Sequence, residues 1–271
     1  MIWEVFNMNK NKFFRNLFIT LVFIFLFLPI IILILYSFND SKMNIIFTHF
    51  TFRWYGELIH NQELLNAFSN TLIIAVTSTV ISTIIGTISA VGLFKYKFPG
   101  KNIITGLIYF PIVIPEIVLG IALLSVYTLT KLELGIGTIL LSHIAFSIPF
   151  VMTSVDSTLN PMISQIEEAA YDLGASKWKT LIHVTIPTIF PGIVSGAALA
   201  FTLSLDDVVI SYFTAGPGSN TLPLKIYSMI KTGITPDVNA LSSIILLVTI
   251  IILTISAFYQ SKRIQKRGMV N

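Results

Sequence analysis

Six runs of about twenty or more largely apolar residues, at 17–36, 67–94, 103–130, 134–158, 189–213 and 240–260, constrain this chain more than any other feature. A hydrocarbon layer about 30 Å thick is crossed by about 20 helical residues rising about 1.5 Å each. Inside it, only structures that satisfy their own backbone hydrogen bonds survive. The runs therefore predict an all-α membrane protein with six transmembrane helices. Composition agrees: of 271 residues, 54% are hydrophobic and 11% charged, against about 25% charged in soluble domains, too few to cover a water-exposed surface. Without cysteine there is no disulfide framework, iron–sulfur cluster or thiol nucleophile. The four histidines, His49, His60, His143 and His183, form no His-x-x-x-His pair, so no metal site is expected. The net charge of +4 reads as membrane topology rather than a nucleic-acid patch.

Segments rich in Lys and Arg stay cytoplasmic. Six spans put both termini on one side, and twelve of the 17 Lys and Arg fall there, leaving Lys42, Arg53, Lys131, Lys225 and Lys231 on the other. Both termini are expected in the cytoplasm of a cell with this chain in its inner (plasma) membrane. Lys10, Lys12 and Arg15 precede the first run as in a signal peptide. Its apolar stretch is too long for one and no small-x-small cleavage site follows, so a retained span is expected. The expected layout is a cytoplasmic segment 1–16, a transmembrane domain 17–260 and a basic cytoplasmic tail 261–271. Segments 37–66 and 214–239 face outwards. The largest cytoplasmic segment, 159–188, does not read as a plain loop.

Within it, helix formers at Glu167, Glu168, Ala169, Ala170 and Leu173 precede Gly174, and Ser176 opens a second run to His183. Gly suits a helix C-terminus and Ser caps the amides that follow, so the spacing predicts helix, turn, helix. Ala170, Leu173, Trp178, Leu181 and Ile182 supply an apolar face, while Glu167, Glu168, Asp172, Lys177 and Lys179 keep the segment soluble. Such helices dock a partner or lie on the bilayer surface.

Glu168-Ala169-Ala170, then Gly174, then Val184-Thr185-Ile186-Pro187 resemble the EAA loop of ABC-importer permeases, whose pattern is Glu-Ala-Ala, three residues, Gly, nine residues, Ile-x-Leu-Pro. The two aliphatic departures are conservative. Residues 200–209, 222–229 and 236–241 are similar to the spermidine/putrescine permeases of the PotC type, and the likeness runs from the first span to the last, densest over 168–241. The resemblance implies the MetI-like transmembrane domain of a type I ABC importer. It also implies partners: a cytoplasmic ABC ATPase dimer, a second homologous permease subunit, an extracytoplasmic polyamine-binding protein and membrane lipid, but no nucleic acid. Glu168, Ala169, Ala170, Gly174 and Pro187 would then form the ATPase-coupling surface, and 54–62 and 216–223 the faces for the binding protein. The chain has no Gly-x-x-x-x-Gly-Lys-Ser/Thr loop to hold nucleotide phosphates and no nucleophile with an acid–base pair, so neither catalysis nor a cofactor is expected of it. Gly135-Ile136-Gly137 lacks the third glycine of a dinucleotide fingerprint and reads as the start of the fourth span.

Carboxylates inside apolar runs are the second chemical signal, since a charge at the bilayer centre costs about 2.5–3.5 kcal/mol on insertion scales. Glu116 falls near the middle of the third run, and Asp206 and Asp207 in the outer half of the fifth, about 100° apart if helical. Asp156 sits at the end of the fourth, where solvation explains it. No Lys or Arg lies deep in any run, so Glu116, Asp206 and Asp207 are candidates for a cation pathway, with Tyr212 a candidate for stacking on ammonium groups. Tyr109, Tyr127 and Phe213 read more simply as packing and interfacial anchors. Pro111, Pro115, Pro149, Pro187 and Pro191 predict local bending. His143 and His183 show no Ser or Asp arrangement for catalysis. The alternatives are an ABC permease for ferric ion, an opine or an aminophosphonate, and an ion-coupled secondary transporter, which lacks support in the absence of inverted repeats.

Overall fold

The structure, a computed structural model, describes residues 2–41, 46–230 and 235–268, with side chains 2–11, 13, 252, 253 and 255–268 outside that description. Lys42 and Lys231 of the topology count also lie outside the described residues. Twelve α-helices follow in order among the described residues: α1 (Ile2–Tyr36), α2 (Arg53–His60), α3 (Gln62–Lys95), α4 (Lys101–Val113), α5 (Glu116–Leu129), α6 (Ile136–Asp156), α7 (Pro161–Asp172), α8 (Lys177–Thr180), α9 (Ile186–Asp206), α10 (Val209–Thr214), α11 (Leu222–Met229) and α12 (Pro236–Gly268). A π-helical turn, Leu181–Thr185, joins α8 to α9. Among the described residues there is no β-strand, only an isolated bridge between Asn39 and Phe50.

Among the described residues four helices are long and apolar enough to cross a membrane, namely Phe14–Tyr36, Gln62–Lys95, Ile136–Asp156 and the continuous Lys177–Asp206. The expected third span is not one rod. It breaks at Ile114 and Pro115 into α4 and α5, which are bent by 114° and make a fifth crossing only if taken together. Proline disfavours the helical conformation in the residue before it, and Ile114 is extended at ψ 139°. The fifth span is corrected at both ends. Its helix begins at Lys177, so the second helix of the 159–188 segment runs straight into it, and it ends at Asp206, where Asp207 is extended at ψ 127° before α10 begins. Where a sixth span was expected, α12 runs the 33 residues from Pro236 to Gly268, of which the apolar stretch Pro236–Ile251 has described side chains.

The chain divides into two compact units. One comprises residues 1–64 and 229–271. In it, α12 packs against α1 and α2, and the connection between α1 and α2 is held by side chains rather than by regular structure. The indole N–H of buried Trp54 donates to Asn39 O at 2.6 Å, Asn39 Oδ1 accepts from Thr48 N–H at 2.8 Å, and Phe38 stacks on Phe50. Asn61 Nδ2 donates to Asp237 Oδ2 at 2.6 Å, tying the end of α2 to the start of α12.

The other unit comprises residues 65–228 and is centred on α6 and α9. Small residues let these two backbones approach, as is common where apolar contact alone gives membrane helices little net attraction. A Cβ on Gly192 would sit 2.8 Å from the Ser154 carbonyl oxygen and 2.7 Å from Thr158 Oγ1. Ala90, Val151, Met152, Val155, Ile163, Ile189 and Ala200 form its apolar core. Ile163 lies on α7, so the segment carrying the Glu-Ala-Ala sequence is anchored in that core and does not lie free on a surface.

Candidate functional site

The 160–187 segment is shaped by its own termini. Asn160 caps α7 by accepting from Met162 and Ile163 N–H, with Pro161 at the first helical position. At the other end, Ala175 N–H reaches back to Ala170 O and Gly174 N–H to Tyr171 O. This pair of bonds closes a helix with a left-handed residue, and Gly174 stands at φ 83°. The spacing from Ala170 to Gly174 is therefore the geometry of a helix end. Ser176 then caps α8 through Lys179 N–H.

The faces of α7 are sharply different. Ile163 and Glu167 point inwards, while Glu168, Ala169, Tyr171 and Asp172 are exposed. Beyond them Leu173 is 89% exposed and Trp178 73%. A cavity of about 730 Å³ opens between the ends of α3, α7 and α8, lined among others by Tyr96, Glu168, Tyr171, Lys177 and Trp178. Its surface is concave and carries large apolar side chains with the exposed charges Glu168 and Lys177. Glu167 does not help to keep the segment soluble, as its composition predicts. It is buried, 2.7 Å from Lys95 Nζ at the end of α3, and accepts a hydrogen bond from Thr185 Oγ1.

A second polar cluster lies inside the helix bundle. His143 on α6 is 1% exposed, with Nδ1 2.6 Å from Ser204 Oγ and Nε2 3.1 Å from Ser211 Oγ and 3.3 Å from Asp207 Oδ2. Ser204 in turn meets Ser78 of α3 at 3.0 Å. The carboxylate of Asp207 only accepts, so Nε2 carries the proton that faces it. Asp207 also accepts from Ser211 N–H at 2.7 Å and Ile210 N–H at 3.2 Å, capping α10. His143, expected to have no Ser or Asp arrangement for catalysis, is a packed histidine with both residue types around it. The cluster is sealed, however, with Ser204 3% and Ser211 0% exposed. It bonds α3, α6, α9 and α10 together rather than presenting a nucleophile.

Residues 82–267 match the model of the family described as binding-protein-dependent transport system inner membrane component. The chain belongs to this family. Over 251 residues, 93% of this chain and 95% of the relative, it is 40% identical to the spermidine/putrescine transport system permease protein PotC of Shigella flexneri. It is 39% identical over 220 residues, 79% of this chain and 78% of the relative, to the putrescine transport system permease protein PotI of Escherichia coli strain K12. The fold is similar to a chain of the bacterial alginate ABC transporter in complex with an alginate pentasaccharide-bound periplasmic protein. There the TM-score is 0.66 at 18% identity, covering 93% of this chain and 94% of that one.

In this inner membrane component the residues singled out by sequence fall into separate places. Glu168, Ala169 and Gly174 are exposed on the side and end of α7 and Ala170 beside them is half-buried, whereas Pro187 lies in the first turn of α9, beyond the π-turn. Glu116 is not mid-helix. It is the first residue of α5, immediately after the break, and exposed. Asp206 and Asp207 are not neighbours on one helix: the first ends α9 and is exposed, and the second turns inwards with its side chain 5% exposed. Among the described residues neither Glu116 nor Asp206 forms an ion pair. Tyr212 on α10 is 61% exposed and packs edge-on against Phe213. Trp54 is buried, so any binding face on α2 is made by its other residues. Sequence reasoning missed Glu167 and Lys95. A signal for Glu167 existed, because it lies four residues after Ile163, on the same helical face. None existed for Lys95.

Proposed function

We propose that this chain is the permease subunit of an ATP-driven polyamine importer, forming half of the path for spermidine or putrescine beside a second, homologous permease. Identity of 40% to a spermidine/putrescine permease along 93% of the chain carries this reading. The chemistry is consistent with it. Glu116 and Asp206 are exposed at helix breaks without a cation, and ammonium groups of a polyamine would supply the missing charge. Tyr212, exposed close to that break, offers a ring face to the same cargo.

In the proposed assembly both termini are cytoplasmic, with 1–16 and 261–271 flanking a domain at 17–260 of six crossings. The 160–187 segment faces a cytoplasmic ATPase dimer. Glu168, Ala169, Ala170, Gly174 and Pro187 belong to its coupling surface, where the small alanines allow close approach and Glu168 meets a cation of the partner. An extracytoplasmic polyamine-binding protein docks on the opposite side at 54–62 and 216–223. The test is reconstitution of the chain with the second permease, ATPase and binding protein in proteoliposomes, measuring labelled spermidine and putrescine. ATP-dependent uptake that disappears without the ATPase is the expected result. Uptake by this chain alone, or a complex that moves no polyamine, overturns the proposal.

A further inference from the structure

We infer that Lys95, Glu167 and Thr185 form a joint that makes α7, α3 and α9 move as one body when the 160–187 segment is displaced; the inference rests on the coupling role proposed above. The three residues come from three elements. Lys95 is the last residue of α3, Glu167 lies within α7, and Thr185 ends the π-helical turn before α9. Their side chains meet at one carboxylate oxygen, Glu167 Oε1, which pairs with Lys95 Nζ at 2.7 Å and accepts from Thr185 Oγ1. Glu167 is 7% and Thr185 0% exposed, and the Lys95 side chain 21%.

Two physical arguments turn this geometry into a mechanical role. First, burial of an ion pair is costly, because desolvation of each ion takes several kcal/mol, and an apolar pair at the same place is often as stable or more so. What a buried pair does supply is a single register, because breaking it leaves an uncompensated charge. Second, the π-turn is the place where displacement of α8 is most easily lost. Ile186 N–H bonds to Leu181 O, five residues back, and such turns are wider and less regular than the α-helix on either side. An unpinned π-turn would bend. Thr185, the last residue of that turn, is held by Glu167, so α7 and the start of α9 are fixed to each other across it. Lys95 adds the end of α3 to the same point.

The cysteine-free sequence permits a direct measurement. Spin labels on Gln165→Cys of α7 and Thr188→Cys of α9, both exposed positions, report their separation in the assembled complex with and without ATP. The joint predicts that this separation is unchanged by nucleotide in the parent and becomes nucleotide-dependent in Glu167→Gln and Lys95→Met. A nucleotide-driven change of more than about 2 Å in the parent, the size of an interface helix shift, overturns it.

The functional arm compares ATP hydrolysed per solute imported. Glu167→Lys and Lys95→Glu each raise that ratio about fivefold or more, the low end of coupling between linked sites, with co-purification of the ATPase retained, and the double exchange returns it towards the parent. Glu167→Gln, which keeps an acceptor for Thr185, covers the case in which the reversals fail to assemble. Parent-like ratios in Glu167→Gln and Lys95→Met overturn the joint. A parent complex that imports no polyamine overturns the cargo reading instead, and the spin-label measurement, which needs no cargo, still decides the joint.

Discussion

Replacing Asp206 and Asp207 one at a time by alanine separates two roles that adjacency in sequence merges. The Asp207 carboxylate is 5% exposed, caps α10 through Ser211 and Ile210 N–H at 2.7 and 3.2 Å, and faces His143 Nε2 at 3.3 Å. Removing a capping carboxylate costs about 1 kcal/mol. Leaving a buried imidazole N–H with only the Ser211 hydroxyl for company adds about 1–3 kcal/mol. Asp207→Ala is therefore expected to destabilise the fold by about 2–4 kcal/mol, which for a chain of this length lowers Tm by about 4 °C or more. Asp206 is exposed at the end of α9, and its substitution stays within about 0.5 kcal/mol. Thermal unfolding of the purified chain in detergent measures the first quantity, and polyamine uptake by the reconstituted complex the second. Asp206→Ala should melt as the parent does while losing uptake; Asp207→Ala should lose uptake only in proportion to folded protein lost. Equal melting temperatures for the two variants, or a lower one for Asp206→Ala, would refute the inward assignment of Asp207.

Three further outcomes follow from the same contacts. Glu168→Lys leaves membrane insertion intact but reduces co-purification of the ATPase about tenfold or more, since a reversed charge at an interface costs several kcal/mol; unchanged recovery would remove Glu168 from the docking face. Gly174→Val forces a branched side chain to φ 83° at about 1–2 kcal/mol, opening the end of α7, and faster hydrogen exchange at the Ala175 amide is its direct readout. Gly192→Ala overpacks the approach of α9 to Ser154 of α6 and Thr158 just beyond it by about 1–3 kcal/mol, seen as a lowered Tm, whereas the same change at Gly106, inside α4 with nothing within 4 Å, does not lower it and gains up to about 1 kcal/mol of helix preference.

How far the sequence could be read depended on whether the deciding interaction was local. Runs of apolar residues, the turn at Gly174 and the cap at Ser176 depend on groups a few residues apart, and their structural counterparts appear where expected. The prolines at 111 and 115 predicted bending but not its extent, because a 114° break depends on what α4 and α5 pack against as well as on the missing amide. Intramembrane carboxylates were visible as costly residues without being distinguishable. Asp206 and Asp207 have the same side chain, and only the turn of the backbone between α9 and α10 directs one outwards and the other to His143.

By itself, then, the sequence determined the solvent of the chain, its helical class, the positions of most spans and the form of the 160–187 segment, because hydrophobic length and terminal capping are properties of contiguous residues. Tertiary structure alone decided that Glu167 is a buried partner of Lys95 and Thr185, that His143 joins α3, α6, α9 and α10 through hydroxyls and a carboxylate, and that the α8 helix continues into α9. These are pairings between residues far apart along the chain. Their energy depends on distance and desolvation in the folded state, and no local pattern of residue types encodes either quantity.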